Sequence, residues 1–514
     1  MRPFLGLLGI LIAAIGSEFN DQVTSIALGD VTGGLGLSHD PGTWFESLYV
    51  SAEVVGMALS PWLLVTFSLR QFALFVLLLN AVSSAMIPFS PDASALYILR
   101  IVQGLSGGFT IPLLMTTALR VLNPPIRLYG LALYALTATF TPALASTMAA
   151  LWTDLVGWRF VFLSSIPICA AAATLAWYGI PQDPQRFERF RIFDWRGALL
   201  LVVGMGSFTT MLQQGDRFDW FNSPLICVLG LTSVVAIPLL LVNEWFHELP
   251  LLKLQLLGRR NLAYGGICLF LFLLIGQSAG TVPNAFLGQV QGYRPEQFYL
   301  VTLAIAAPQL VLLPAVSWVL EHPSIDVRLV NFAGLAMILA SCIGLSFATI
   351  DWYRGPFFFW LALQTVGQPM VVVSLLMMAT NTVKGPQEAP FASAIVNTPR
   401  AISEAVGIWL VQLIERWRGG LHYNRLVDQV GQDRYRLIQA PQITPQHPPP
   451  LLPNGQPSSP GSLQAFAQAI EQQARILTIS DMFLVFAGIT AVLMVVLVLL
   501  TEYTLPPRLL FAKK

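Results

Sequence analysis

Charge is what this chain has least of. Only 11% of its 514 residues are Asp, Glu, Lys or Arg, and lysine occurs four times (Lys253, Lys384, Lys513 and Lys514). Ordinary soluble domains carry about 25% charged residues. Hydrophobic residues make up 55% of the chain, too many to hide in one aqueous core, so the chain reads as an integral membrane protein. Cysteine is also scarce. Cys169, Cys227, Cys268 and Cys342 stand singly in apolar segments, which excludes a disulfide framework and metal-ligand spacing. The five histidines fall in loops or at segment ends, so no intramembrane metal is expected. None of the lysines sits in a Gly-Lys-Ser/Thr loop, which excludes ATP drive. Gly104-Leu-Ser106-Gly107-Gly108 spells a nucleophile elbow, yet no span supplies the histidine base that such chemistry needs. The same letters contain Gly104-x-x-x-Gly108, which lets helix backbones approach closely. No enzyme activity, no cofactor and no nucleic-acid partner is expected.

What is abundant is apolar length. About 20 residues at 1.5 Å each cross the hydrocarbon core of a bilayer. Fourteen segments meet that length, at about 3–29, 43–66, 71–89, 95–120, 129–151, 159–180, 197–213, 224–246, 262–288, 297–320, 329–349, 357–381, 391–416 and 481–502. Arg120, Arg127, Arg186, Arg189, Arg191, Arg196, Arg259 and Arg260 fall between spans on one side, whereas the short loops of the other side hold only Arg159, Arg217, Arg294 and Arg354. The positive-inside rule then places both termini in the cytoplasm. The long loop 417–480 lies outside. Its middle, from Pro441 to Pro460, is Pro-rich and extended, and Leu463 to Ile476 recovers helical spacing as a short amphipathic helix leading into the last span. A spacer and a docking surface fit this loop equally well.

Against that background the few buried charges stand out. Arg100 lies within the fourth span, where a guanidinium cannot shed its proton and must face a partner or water, unless it snorkels to the interface. Glu18 and Asp21 share a face of the first span, and Glu46 and Glu53 share a face of the second. Counting from the outer ends, Arg100 lies about 8 Å deep, Asp21 about 12 Å and Glu53 about 15 Å. These groups belong to the outer half of the membrane and fit one polar cavity in which a carboxylate exchanges protons. A purely structural ion pair is the plainer alternative. In the thirteenth span Arg400 and Glu404 are one turn apart, a spacing that allows a salt bridge within that helix, with a role in substrate or proton handling as the alternative. Gln277, Gln309, Gln364 and Gln368 are polar positions on apolar helices, read either as substrate contacts or as interhelical links.

Taken together, these residues resemble the fourteen-helix drug–proton antiporters of the major facilitator superfamily, the EmrB-type inner-membrane pumps of tripartite exporters. Leu99-Arg100-Ile-Val-Gln103-Gly104 is similar to the family's fourth-helix motif, Asp154-Leu-Val-Gly-Trp158-Arg-Phe-Val-Phe162 to its fifth-to-sixth junction, and Asp194-Trp195-Arg-Gly197 to the entry of its two extra central helices. Asn397 with Arg400, and Gln473-Ala474 with Asp481 and Phe483, resemble later motifs. The fifth-helix antiporter signature reads Ala145-Ser-Thr-Met-Ala149-Ala150 here, and the family's first-helix Asp aligns with Asn20, leaving Asp21 or Glu18 to substitute. The resemblance implies an all-α membrane fold of six, two and six helices: a bundle at 1–180, an insert at 181–261, a bundle at 262–502 and a tail at 503–514. It implies proton-coupled export of amphipathic compounds across a bacterial inner membrane. The implied partners are a small-molecule substrate, protons and lipids, with a periplasmic adaptor and outer-membrane channel beyond. Asp21 is then the proton acceptor, tuned by Arg100, with Glu53 and Glu18 next. A symporter or facilitator of the same fold, and a non-transporting scaffold or sensor, are the alternatives.

Overall fold

The computed structural model describes residues 2–90, 92–123, 126–383, 388–432, 460–499, 504 and 506, and among them every regular element is helical. The chain opens with α1 (Arg2–Ile26), its short continuation α2 (Leu28–Gly34), α3 (His39–Phe67), α4 (Leu69–Met86), α5 (Ala93–Val121) and α6 (Arg127–Leu155). A broken pair follows, α7 (Arg159–Leu163) and α8 (Ser165–Gly179), then α9 (Trp195–Gln214) and α10 (Pro224–Phe246). The remainder comprises α11 (Arg260–Gly276), α12 (Thr281–Ala285), α13 (Pro295–Leu320), α14 (Val327–Leu345), α15 (Arg354–Thr380), α16 (Ala389–Ile414), α17 (Gly420–Gln432) and α18 (Pro460–Val498).

Thirteen helices among the described residues are long and apolar enough to cross a membrane. The fourteenth expected span is α16, a helix of 26 residues that stays outside that group. Asn397, Arg400, Ser403 and Glu404 dilute its apolar length. The proline-rich middle of the long loop, 433–459, lies outside the described residues. Beyond it the expected amphipathic helix and the last span are one continuous element, because nothing between Ile476 and Met482 breaks a helix.

Packing explains which helices carry the site. Gly104 and Gly108 press α5 against α3: a Cβ on Gly104 would strike the Tyr49 carbonyl, and one on Gly108 the Glu53 carbonyl. On the α3 side, a Cβ on Gly56 would stand 2.7 Å from the Leu105 carbonyl oxygen. The close-approach motif legible in the sequence is therefore used for packing, and it fixes Glu53 beside α5. Asp92 caps α5, accepting the Ala95 amide at 2.8 Å. Helix α1 packs on α8, α6 and α5, α11 on α16 and α15, and α14 on α15 and α18. Further contacts join early to late helices, among them α6 to α13, α3 to α16, α5 to α16 and α6 to α15. The eroded fifth-span signature sits in the first of these, where Ala145 and Ala149 are buried and Thr147 reaches Thr302 at 3.4 Å.

Helices α9 and α10 pack on each other, and α9 also lies on α3 and α16. Thr209 and Thr210 bond Ser51, and Gln214 donates to Ser47 at 2.7 Å. The loop after α9 reaches in both directions. Arg217 pairs with Asp40 at 3.0 Å, while Asp216 and Asp219 receive Arg416 from beyond α16. Large apolar side chains such as Leu78, Leu231, Val234, Val311 and Leu329 cover the exposed faces of the bundle, as a lipid-facing surface requires.

Candidate functional site

Arg100 is completely buried and is held from several sides. Its Nη1 donates to Gln103 Oε1 at 2.7 Å and to Asn20 Oδ1 at 3.4 Å. Gln103 in turn donates to Asn20 Oδ1 at 2.9 Å and to Ser84 Oγ at 2.7 Å, and Asn20 donates to Ser165 Oγ at 2.7 Å. The guanidinium carbon stands 4.1 Å from the Tyr49 ring centre and 4.9 Å from that of Phe45. Such stacking suits a weakly hydrated planar cation. It does not snorkel.

The expected partner is there. Asp21 Oδ1 lies 3.6 Å from Arg100 Nη2, longer than the 2.7–2.9 Å of a charge-assisted hydrogen bond. Neither of these two atoms, nor Arg100 Nε, has a hydrogen-bond partner, although all three are buried. A buried donor or acceptor left in this condition costs about 1–3 kcal/mol. The pair is thus under-satisfied, and a small movement or one bridging water completes it.

Asp21 also meets two other carboxylates. One oxygen each of Asp21 on α1, Glu53 on α3 and Glu404 on α16 all lie within 4.8 Å of one another. Glu46 is not in this group; it is half-buried and accepts Ser25 Oγ at 2.5 Å.

Arg400 and Glu404 correct the sequence expectation. No salt bridge forms between them. Arg400 Nη2 instead pairs with Glu18 Oε1 at 2.5 Å, and its Nη1 donates to Thr137 Oγ1 at 2.7 Å and to Tyr134 OH at 3.4 Å. The Thr137 carbonyl adds a further acceptor at 3.3 Å. A carboxylate, a hydroxyl and a carbonyl arrayed before a rigid fork of donors satisfy Arg400 better than a single carboxylate one turn along its own helix. Glu18 is accordingly withdrawn from the Asp21 group, and Glu404 joins it. Tyr134 extends the link by donating to Asn397 Oδ1 at 2.6 Å, and Ser393 donates to the Pro112 carbonyl at 3.1 Å.

The four glutamines lie apart from these charges. Gln364 Nε2 donates to Ser278 Oγ at 3.0 Å, and Gln309 Nε2 to the Thr365 carbonyl at 3.1 Å. Gln277 accepts Thr281 Oγ1 at 2.5 Å and lies against Gly407, and Gln368 is buried on α15. The first two act as links between helices. Sequence reasoning passed over Tyr134 and Thr137, which carry no charge. It also left Asn20 without a role, although Asn20 is the hub of the Arg100 network.

A model described as Major Facilitator Superfamily matches residues 10–408. Among similar proteins is the multidrug export protein EmrB of Escherichia coli, 24% identical over 502 residues that cover 95% of this chain and 93% of the relative. Another is the fatty acid resistance protein FarB of Neisseria gonorrhoeae, 25% identical over 437 residues, 82% of this chain and 83% of that one. Among solved structures, the proton:xylose symporter XylE bound to 6-bromo-6-deoxy-D-glucose superposes with a TM-score of 0.59 at 10% identity, covering 99% of both chains. The human organic anion transporter MFSD10 does so with a TM-score of 0.55 at 14% identity, covering 95% of this chain and 99% of that one. These two likenesses concern the fold.

Proposed function

The chain belongs to the Major Facilitator Superfamily, and from that premise we propose that it exports amphipathic small molecules across the bacterial inner membrane in exchange for protons. Residues 1–180 and 262–502 are the two units that rock about a central site, with 181–261 as the insert, as carriers built from repeats do. Both termini face the cytoplasm, so Asp21 and Arg100 belong to the outer half of the bilayer. Asp21 accepts the proton and Arg100 sets its readiness to do so; Glu53 is the next carboxylate, whereas Glu18, which the sequence ranks beside it, is held by Arg400. A periplasmic adaptor and an outer-membrane channel complete the route for the substrate, with the outer loop 417–480 as their docking side.

The observation that carries this reading is the buried Asp21–Arg100 pair held at 3.6 Å with unpartnered atoms on both sides. A structural ion pair is expected to be fully bonded when buried, since desolvation otherwise exceeds the Coulombic gain. A pair left incomplete has one ready way to change state, because the carboxylate can take a proton and release the guanidinium. The names of the relatives, multidrug export and fatty acid resistance, support an amphipathic cargo.

The purified chain in liposomes, with ethidium or decanoate added outside as probes, tests the proposal. In inside-out vesicles an acid lumen should drive probe into the lumen, and the reversed gradient should not. Uptake under the reversed gradient only makes the protein a symporter. Equal, gradient-independent flux makes it a facilitator, and no flux under either gradient makes it a scaffold.

A further inference from the structure

We propose that Glu404, contributed by the late helices, is a proton-exchanging residue of the coupling site, so that the site is complete only while the two units are in contact. The inference rests on the exporter reading above and deepens it.

Three observations converge. First, the cation expected to neutralise Glu404 is engaged elsewhere, since Arg400 pairs with Glu18 and bonds Thr137 and Tyr134. Second, an oxygen of Glu404 lies within 4.8 Å of oxygens of Asp21 and Glu53, on helices of the other unit. Third, Asp21, only 7% exposed, keeps Oδ1 without a hydrogen-bond partner. Ionised carboxylates only accept hydrogen bonds. Three of them facing one another in a low-dielectric interior have nothing to donate until a proton arrives. A proton on one turns that oxygen into a donor to its neighbour, and the contact becomes attractive.

The other charges around Glu404 do not remove this need. From α1 it faces Glu18, which is committed to Arg400, and Asp21; from α3 it faces Glu53, with the Tyr49 hydroxyl behind. From α6 comes the neutral Tyr134, and its own helix supplies Arg400. Arg100 on α5 reaches Asp21, on the far side of the group. On α11 the neutral Gln277 lies against Gly407, and α9 faces α16 among the described residues with Phe208, Met211 and Leu212. One guanidinium therefore stands against three carboxyl groups, two from one unit and one from the other.

The step is a proton transfer and nothing is oxidised or reduced. Water brings a proton, an O–H bond forms on a carboxylate oxygen, and the units hold together. Later that O–H bond breaks, its electron pair stays on the oxygen, and the proton leaves to water at the opposite face. Like charges then repel across α3 and α16.

The test reads separation of the units without any substrate. Spin labels on Ser94→Cys and Thr349→Cys, both exposed at the same end of the bundle, are placed in full-length protein carrying Cys227→Ser. The distance between them is measured in nanodiscs at about pH 5.5 and about pH 8, which bracket the range of interest. Protein with native Glu404 should shift its distance distribution between the two. Glu404→Gln should lose the shift and keep the acid-form distance at both, and its gradient-driven ethidium flux should fall about tenfold or more, as for loss of a proton-transfer group. Glu404→Asp should keep the shift, with its midpoint moved about 0.4 units toward acid, the intrinsic difference between the two acids. An unchanged pH response and full flux in Glu404→Gln overturn the proposal. If Glu404→Gln does not elute as a single folded species, Glu404→Asp decides, and an unmoved midpoint overturns it. Failure of the exporter reading looks different, because native protein then shows no gradient-driven flux whatever the labels do.

Discussion

Helices α1, α3 and α5 bury Glu18, Asp21, Glu53 and Arg100, whereas α13, α14 and α15 bury Gln309, Asn331 and Gln364, the turn after α11 buries Ser278, and α11, α13, α14 and α15 bury, among described residues, no Asp, Glu, Lys or Arg. The two sets of helices solve the same problem, polar groups in a dry interior, by different means. Amides and hydroxyls donate and accept in fixed numbers, so a bonded pair such as Gln364 with Ser278 has one stable arrangement. A carboxylate beside a guanidinium has two, because one proton cancels the carboxylate's charge and with it the ionic attraction. Chemistry that changes state is thus concentrated in the early helices, and the late ones supply shape. Helix α16 is the exception: it carries Arg400 and Glu404, and both side chains look across to the early helices rather than into their own bundle.

Removing Arg100 should break this contrast most severely. Arg100→Ala takes the counter-charge from Asp21 and a donor from Asn20 and Gln103 at once. Losing one partner of a buried pair costs about 3 kcal/mol or more. Thermal unfolding in detergent should register that loss, and gradient-driven ethidium flux in liposomes should vanish. Adding Asp21→Asn should recover much of the stability and none of the coupling. Full coupled flux in Arg100→Ala removes Arg100 from the mechanism.

The bond between units comes next. Arg400→Ala leaves Glu18 buried without its cation, again a matter of about 3 kcal/mol. Here the double variant with Glu18→Gln should regain at least half of the lost melting temperature, since a neutral amide no longer needs the guanidinium. If the double variant is as unstable as the single one, the Glu18–Arg400 contact does not hold the units together, and α16 loses its exceptional place.

How much of this was legible follows from the range over which each signal acts. The spans could be read because apolar length is local, and Arg100 with Asp21 could be read because depth along neighbouring spans follows from residue counts. The Gly104–Gly108 approach was also local. Arg400 with Glu18 was not, because 382 residues separate them and no periodicity relates the two. The spacing of Arg400 and Glu404 pointed to the wrong bond, since a one-turn separation is permissive and says nothing of better acceptors elsewhere. Asn20 was legible only as the position of the family's first-helix Asp, and its role was missed because an uncharged amide in an apolar span looks like packing until its neighbours Arg100, Gln103 and Ser165 are placed.

A substitution on the neutral side gives a smaller effect and sharpens the comparison. Gln309→Ala deletes one buried hydrogen bond, the donor to the Thr365 carbonyl at 3.1 Å. Its cost is about 1 kcal/mol. Melting should fall slightly, while the dependence of flux on the pH gradient stays that of the native protein. A changed pH dependence in this variant would move proton chemistry into the late helices and dissolve the contrast.

The smallest effect is expected at the loop after α9, which also ties early helices to late ones. Asn222 and Arg416 both donate to Asp219, and these bonds hold its carboxyl below the usual carboxylate range. A group whose folded value is depressed contributes stability above its unfolded value of about 3.9, and loses it only as pH falls through the lower folded one. From pH 5 to pH 8, roughly the window a proton-coupled carrier works in, this contact is therefore constant. Arg416 and Asp219 are also well exposed, so salt and water screen the pair. Arg416→Ala should leave melting almost unchanged and the pH-dependent distance between labels at 94 and 349 intact. That outcome assigns the pH response to the buried carboxylates by elimination of the ionic link that, among the described residues, joins late helices to early ones through α9 and its following loop. A flattened response would instead make the loop the sensor, and the asymmetry between charged and neutral helices would no longer explain how protons move the units.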